Sequence, residues 1–158
     1  AAAGDTLFVP VTDMPDGRTY EEPARPGLYA LDMKTGEFIW RQPAPTNVCG
    51  DREFCHPGIS QAITAAPGLV MAGSMDGVLR VHDAATGALV WQYDTTTEVT
   101  TVAGDTTYGG SLGGGAGPIT VDDMLFVSSG YGLYFHMPGN ALLAFGKSSN
   151  HTQSKGTQ

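Results

Sequence analysis

Basic residues are scarce in this chain, which has 8 Lys and Arg against 16 Asp and Glu and a formal net charge of −8. Proteins that bind nucleic acids need clustered basic side chains to neutralise phosphates, and anionic membrane surfaces attract the same side chains. The sequence contains no basic run. It also has no apolar run of roughly 18 residues, the length that a membrane-spanning helix requires. The composition therefore predicts neither a nucleic-acid partner nor a membrane partner.

Helical periodicity is also missing from the sequence. No segment sustains apolar residues at spacings of three and four over three turns, as an amphipathic helix would. The chain has 22 Gly and 10 Pro but only 15% charged residues, a composition that suits a fold dense in turns. The sequence therefore predicts an all-β protein.

Cysteine is limited to Cys49 and Cys55, whose spacing excludes the C-x-x-C redox and haem-attachment motifs. A structural zinc site would need two further ligands, and His56 is the only candidate close by. We interpret the pair as a local disulfide, which implies an oxidising compartment. The alternative is two free thiols in a cytosolic loop.

A repeated hairpin indicates the architecture. The segment 28–40 recurs 51 residues later at 79–91. In each copy the Asp side chain can bond backbone N–H groups of the turn, and the Gly can adopt the positive φ that closes it. One such hairpin would also suit a β-sandwich, but two copies in register favour a repeat architecture. The residues that recur are Leu28 and Leu79, Asp32 and Asp83, Thr35 and Thr86, Gly36 and Gly87, and Trp40 and Trp91.

Short strands before each hairpin complete a four-stranded unit, whose strands are labelled A to D in chain order. Units of this kind at a spacing of about 40–50 residues are typical of β-propeller blades. The predicted units cover about residues 1–45, 59–96 and 117–146, followed by a polar tail at 147–158. The first unit has at most a stub of strand A at 1–3, and the last has no strand D. The prediction is therefore about three antiparallel blades, the first and last incomplete.

The hairpin resembles the tryptophan-docking motif of pyrroloquinoline-quinone (PQQ) propellers, here Ala30-x-Asp32-x-x-Thr35-Gly36-x-x-x-Trp40. Asp83, Thr86, Gly87 and Trp91 repeat it, and we expect both tryptophans to be largely buried between adjacent sheets. The C-terminal half is similar to polyvinyl-alcohol dehydrogenases. This second resemblance rests on the segments 73–80, 100–104, 109–111, 130–132 and 137–140.

The resemblance covers about residues 6–145 and implies the C-terminal blades of a PQQ-dependent alcohol dehydrogenase. Members of that family are eight-bladed propellers, periplasmic or secreted, that oxidise secondary or polymeric alcohols with PQQ and calcium. This chain has about three blades and no C-x-x-C-H motif. We therefore expect it not to be competent alone, and neither PQQ nor calcium to bind it tightly alone. The expected partners are the remaining propeller polypeptide or further copies of itself. The alternative is a non-catalytic module with a structural or assembly role.

The long D–A loops at 46–58 and 95–117 are where this resemblance places a cofactor. In the family such loops surround the quinone, and glycine lets a backbone approach a flat ligand closely. Gly113, Gly114 and Gly115 are therefore the candidate cofactor-lining residues. A plain flexible linker is the alternative.

Aromatic and histidine side chains in the loops are candidates for a substrate channel. They are His56 in the first long loop, and Tyr131, Tyr134 and His136 in the B–C loop of the last unit. A B–C loop often lies on the rim opposite to the D–A loops, so an interface role is left open for this one. The histidines lack metal-ligand spacing, and no metal site is predicted. Asn150 begins an N-glycosylation sequon, which is usable only in a secreted eukaryotic protein.

One serine fits a hydrolase motif, because Gly109-Gly-Ser111-Leu-Gly113 matches G-x-S-x-G. That motif works on a strand-to-helix turn that exposes the serine. Glycine rather than a helix follows here, so the sequence does not favour Ser111 as a nucleophile.

Overall fold

The computed structural model describes residues 1–146, which form thirteen β-strands and no helix. Within these residues no helix is long and apolar enough to cross a bilayer. The predicted all-β class is confirmed. The predicted polar tail at 147–158 and its sequon at Asn150 lie outside the described residues.

Three sheets follow one another along the chain, and every strand pair in them is antiparallel. Sheet 1 consists of β1 (Ala2–Ala3), β2 (Thr6–Val11), β3 (Gly27–Asp32) and β4 (Phe38–Pro43). Sheet 2 consists of β5 (Thr64–Ala66), β6 (Leu69–Gly73), β7 (Val78–Asp83) and β8 (Leu89–Asp94). Sheet 3 consists of β11 (Ile119–Val121), β12 (Met124–Ser129) and β13 (Ala141–Gly146).

Two details differ from the sequence-based expectation. The stub expected at residues 1–3 pairs with β2, so sheet 1 has four strands although β1 is only two residues long. The second long D–A loop contains a small hairpin that was not predicted, formed by β9 (Glu98–Thr100) and β10 (Thr106–Tyr108).

The C–D turns have the chemistry that their sequence predicts. The Asp83 carboxylate accepts hydrogen bonds from the hydroxyl and backbone N–H of Thr86, both at 2.8 Å. These bonds stabilise the charged form and hold the pKa of Asp83 below its usual value. Gly36 and Gly87 close their turns at φ values of 75° and 74°, which a residue with a Cβ rarely adopts. The two turns are therefore structural equivalents.

Sheets 1 and 2 pack face to face, and Trp40 joins them. Its side chain is only 8% exposed, and its indole N–H donates a 3.0 Å hydrogen bond to the carbonyl of Ala84 in the next sheet. The ring lies against Gly87, where a Cβ would come within 2.7 Å of the indole. Phe8 packs on the same ring with a centroid separation of 5.8 Å. Burial of Trp40 between adjacent sheets, expected from the repeat, is confirmed.

Trp91, the repeat equivalent of Trp40, is 38% exposed, so the expectation of large burial is wrong for this residue. Its ring stacks on Tyr93 and meets Phe145 of sheet 3 edge-on, at centroid distances of 6.1 and 5.2 Å. The turn that follows β7 shields the Trp40 ring from solvent. The residues that follow β13 lie outside the described part of the chain.

Both outer strands carry a β-bulge at the same place. The register shifts between Ala30 and Leu31 in sheet 1 and between Val81 and His82 in sheet 2. In each case the residue just before the Trp is the extra one, Ile39 or Val90. An extra residue of this kind bends the strand and increases its twist.

Cys49 and Cys55 are bonded to each other, with their Cα atoms 5.5 Å apart, so the predicted disulfide is confirmed.

Thiol titration of the denatured chain without reductant is expected to find no free cysteine. Reduction should lower the free energy of unfolding by roughly 2 kcal/mol, because the cross-link restricts the unfolded chain. Urea unfolding of the oxidised chain and of a Cys49→Ser/Cys55→Ser variant measures the difference. Two titratable thiols in the unsubstituted chain would contradict the Cys49–Cys55 disulfide.

Candidate functional site

The long loops of all three sheets meet on one side of the molecule, here called the loop face. Alternating strand directions bring the B–C and D–A connections to the same end of each sheet. Met75 N–H donates to Gly58 O at 2.9 Å, and Ser111 N–H donates to Met137 O at 2.9 Å. The expectation that a B–C loop lies opposite the D–A loops is therefore wrong. The connections of the loop face are 12–26, 44–63, 74–77, 95–118 and 130–140.

His136 is placed on this face by an unusual backbone. Tyr134 and Phe135 have φ values of 55° and 54°, in the left-handed region that bulky residues rarely occupy. The resulting tight turn brings the imidazole Nδ1 within 2.8 Å of Leu133 O and 2.5 Å of Tyr134 O. Such strain persists only where the surrounding structure holds it, and it is common at functional sites.

The other ring nitrogen of His136 faces a hydroxyl from a distant loop. His136 Nε2 lies 3.1 Å from Ser60 Oγ, although the two residues are 76 positions apart in sequence. A Cβ on Gly132 would lie 2.6 Å from His136 Cγ, and a Cβ on Gly113 would overlap the imidazole. The ring is therefore held between two glycines and directed at Ser60. Ser60 was not singled out from sequence, because nothing near it in the chain marks it.

The three candidate cofactor-lining glycines do not form one open surface. Gly113 is buried beneath His136 and Ser60, whose Oγ would lie 2.6 Å from a Cβ at that position. Gly114 and Gly115 are exposed, and Gly115 has open space where a Cβ would stand. Exposed backbone in the segment 113–115 is therefore limited to Gly114 and Gly115.

His56 lies beside a second feature of the loop face, a cavity of about 470 Å³. Phe54 and Phe135 form one wall, with ring centroids 6.4 Å apart. Gly58 N–H donates to His56 Nδ1 at 3.0 Å, so Nε2 carries the proton of the neutral ring. Burial lowers the pKa of His56 below its usual value, which favours the neutral imidazole at pH 7. The remaining lining residues are Met14, Pro15, Asp16 and Cys55.

The two candidate tyrosines lie on the same loop but are not brought to His136. Tyr131 is exposed, and its hydroxyl donates to Asn140 O at 2.9 Å. Tyr134 is 85% exposed. Their role in a substrate channel stays a prediction.

A buried ion pair supports the centre of the loop face. Asp76, fully buried in the short B–C turn of sheet 2, accepts hydrogen bonds from Arg80 at 2.7 and 3.1 Å. The Arg80 side chain is 11% exposed and also donates to Ser74 Oγ at 3.0 Å. Arg52, next to the disulfide, donates to the carbonyl of Asp76 at 3.4 Å. Arg52 therefore connects the turn of sheet 2 to the disulfide loop.

Ser111, the serine of the G-x-S-x-G match, is structural. It is buried, its hydroxyl donates to Met75 O at 2.6 Å, and it accepts from Met137 N–H at 2.8 Å. Both hydrogen-bonding functions of the hydroxyl are used in joining two loops.

The described residues fit PQQ only in part: the N–H groups of Gly114 and Gly115 could meet a carboxylate, but the cation at the centre of the loop face could not. The quinone carries three carboxylates, which need cationic or N–H donors around them. Arg80 is already neutralised by Asp76, and Gly113 is covered by His136. Among residues 1–146, the buried side-chain polar atom without a partner is Gln61 Oε1, an acceptor that would repel a carboxylate. Within residues 1–146 no cluster of three or more His, Cys, Asp or Glu side chains could hold a metal ion.

Known proteins resemble this chain in sequence and in fold. A family model described as outer membrane protein assembly factor BamB matches residues 1–111. The chain is 37% identical over 155 residues to a polyvinylalcohol dehydrogenase of Pseudomonas sp, a match that covers 92% of this chain and 24% of the relative. It is 41% identical over 144 residues to a polyvinylalcohol dehydrogenase of Sphingopyxis sp. (strain 113P3), which covers 83% of this chain and 22% of the relative. The chain thus spans about a quarter of the length of these curated relatives.

A solved structure shows the same fold. BamB from Moraxella catarrhalis superposes with a TM-score of 0.57 at 20% identity, covering 92% of this chain and 35% of that chain. Together with the three antiparallel sheets, this confirms that the predicted units are β-propeller blades.

Proposed function

The chain belongs to the PQQ-propeller family whose model is described as outer membrane protein assembly factor BamB, and we propose that it forms part of a PQQ-dependent alcohol dehydrogenase. The observation that supports this function is the identity of 37% and 41% to two polyvinylalcohol dehydrogenases, over 92% and 83% of the chain. The proposed substrates are secondary or polymeric alcohols. The proposed contribution of this chain is a set of C-terminal blades with their loop face.

The chain is proposed not to be competent alone. PQQ and calcium are assigned to the longer propeller, because this chain spans only about a quarter of the length of the two relatives. His56, the aromatic wall formed by Phe54 and Phe135, and His136 are the groups that this chain would present to a substrate on the loop face.

The proposed partner is the remaining propeller polypeptide, with further copies of this chain as the second choice. Sheet 1 buries one face against sheet 2, but its other face is open and apolar. Leu7 and Phe38 of this sheet are exposed, and a groove of about 1280 Å³ runs along the strands and the adjoining loop. Another blade of the same kind would cover this surface.

An oxidising compartment is proposed for the protein, periplasmic or secreted. The Cys49–Cys55 disulfide supports this location, because cytosolic thiols are kept reduced.

A chimera tests the proposed function. Residues 1–146 would replace the matching quarter of the Pseudomonas sp polyvinylalcohol dehydrogenase, and the product would be supplied with PQQ and calcium. Dye-linked oxidation of polyvinyl alcohol is expected from the chimera. The same enzyme with that segment deleted, and this chain alone with PQQ and calcium, should show none. A control chimera with Asp5→Ala, a change in an exposed ion pair away from the loop face, should keep this activity.

The chimera also distinguishes the dehydrogenase function from the alternative, a non-catalytic structural or assembly module. A structural or assembly module would give a soluble, correctly sized chimera that binds PQQ through the other blades but oxidises no alcohol. That outcome contradicts the dehydrogenase proposal. Activity of this chain alone would contradict the proposal that it depends on other blades.

A further inference from the structure

We propose that Ser60 and His136 form a nucleophile and general-base pair that reacts with carboxylic esters. The proposal concerns a site distinct from the serine motif at Ser111, and it does not depend on the dehydrogenase function. It rests on the hydrogen bonds of His136, on the backbone that holds its ring, and on the free backbone donors next to Ser60.

The hydrogen bonds of His136 fix its tautomer. Nδ1 faces two carbonyl oxygens, those of Leu133 and Tyr134, and carbonyls only accept hydrogen bonds. Nδ1 therefore carries the proton in the neutral ring, and Nε2 presents a lone pair. Ser60 lies 3.1 Å from that nitrogen, so its hydroxyl donates to it. A serine that donates to a histidine whose other nitrogen is oriented by an acceptor is the arrangement of an activated nucleophile.

The backbone is specialised to keep the ring in this position. Tyr134 and Phe135 both occupy the left-handed region, at a cost of order 1–3 kcal/mol each. Gly113 and Gly132 leave room for the imidazole, and a side chain at either position would displace it. These four residues, from the loops 95–118 and 130–140, together fix the orientation of the His136 ring. A hydrogen bond that merely tied two loops together would not require this.

The two exposed glycines after Gly113 lie in the segment beside the serine, and their N–H groups could stabilise the charge that develops in an acyl transfer. No hydrogen bond from the N–H groups of Gly113, Gly114 or Gly115 to another residue is found within residues 1–146. A Cβ at Gly113 would lie 2.6 Å from Ser60 Oγ, so this segment adjoins the nucleophile. Unpaired N–H groups next to a reacting carbonyl stabilise the oxyanion.

The proposed step balances without a cofactor. Ser60 Oγ attacks the ester carbonyl carbon while its proton passes to His136 Nε2, and the carbonyl oxygen becomes an oxyanion. Collapse of this intermediate breaks the bond to the leaving alcohol, which takes the proton from His136. The product is an ester of Ser60. Water, activated in turn by His136 Nε2, then releases the acid and restores the serine.

The test uses the full chain and p-nitrophenyl acetate. We expect a burst of nitrophenolate, together with an acetyl group that peptide mass spectrometry maps to Ser60. Ser60→Ala and His136→Asn should each slow the burst by roughly 100-fold or more, the range for loss of general-base catalysis. Ser128→Ala is the matched control and should leave the burst unchanged. Unchanged tryptophan fluorescence and an unchanged circular dichroism spectrum would show that each variant is folded.

Two outcomes would overturn the proposal. One is acetylation of another group, such as a lysine or the N-terminus, with no acetyl on Ser60 and an equal burst in Ser60→Ala. The other is a ¹⁵N spectrum in which the neutral His136 ring carries its proton on Nε2, since a protonated Nε2 cannot take the serine proton. This second measurement needs no variant, so it stands even where a substitution disturbs folding.

Discussion

Replacing Trp40 by Ala is expected to lower the free energy of unfolding by about 3–5 kcal/mol, as for other large aromatic truncations in protein cores. The indole is 8% exposed, packs on Phe8 and lies against Gly87. Its N–H also satisfies the carbonyl of Ala84, which would be left unpaired. Urea unfolding followed by circular dichroism measures the loss. A decrease below about half a kcal/mol, typical of surface sites, would mean that this ring does not join the sheets.

Matched variants separate the parts of this effect. Trp91→Ala should cost less than Trp40→Ala, because Trp91 is 38% exposed. Gly36→Ala and Gly87→Ala impose the same strain, since their φ values are 75° and 74°. Only Gly87→Ala also forces a Cβ to within 2.7 Å of Trp40. The extra loss in Gly87→Ala, about 1–3 kcal/mol for overpacking, therefore reports on the contact between the sheets.

Replacing Asp76 by Ala is expected to cost about 3–5 kcal/mol, because it leaves a buried charge without its partner. Asp76 is fully buried and the Arg80 side chain is only 11% exposed, so water replaces the lost carboxylate at the guanidinium only in part. Asp5→Ala is the matched control. It removes the carboxylate from a solvent-exposed pair with Lys34, and pairs of that kind contribute about 0–1 kcal/mol.

A double-mutant cycle identifies the cause of the loss. Asp76→Ala combined with Arg80→Met removes both charges and should be less destabilising than Asp76→Ala alone. If the double variant loses as much as the two single variants added together, the ion pair is not the source of the effect. Thermal unfolding of the four proteins at one pH and salt concentration provides the comparison.

The fold could be predicted from sequence because the repeated hairpin contains residues with recognisable structural roles. Asp32 and Asp83 each begin an equivalent turn. Trp40 and Trp91 each lie in the strand that follows it. Because the two copies align in register, the sequence predicts both the four-stranded unit and the 51-residue spacing of its copies. The hairpin of β9 and β10 was missed because its strands have three residues each, too few for alternation to be visible. The 38% exposure of Trp91 could not be predicted either, since both copies of the motif are alike in sequence.

The candidate site was less predictable, because it depends on contacts between distant loops. Ser60 and His136 meet only through the arrangement of three sheets, and no local pattern marks Ser60. The left-handed backbone at Tyr134 and Phe135 has no sequence signal, since such residues rarely adopt it. The pair of Asp76 and Arg80 could have been suspected, because a turn Asp next to a strand Arg of opposite charge stands out in a chain with so few basic residues.

The bulges before Trp40 and Trp91 have a consequence for solubility. β4 and β8 are the outer strands of their sheets, and each presents backbone groups that a strand from another molecule could pair with. An extra residue at Ile39 or Val90 interrupts the regular spacing of those groups and twists the strand away from a flat ladder. Because both side chains are exposed and apolar, a regular strand at these positions would be a site for intermolecular β-pairing and fibril growth. The same irregularity thus protects sheets 1 and 2 from aggregation along their outer strands.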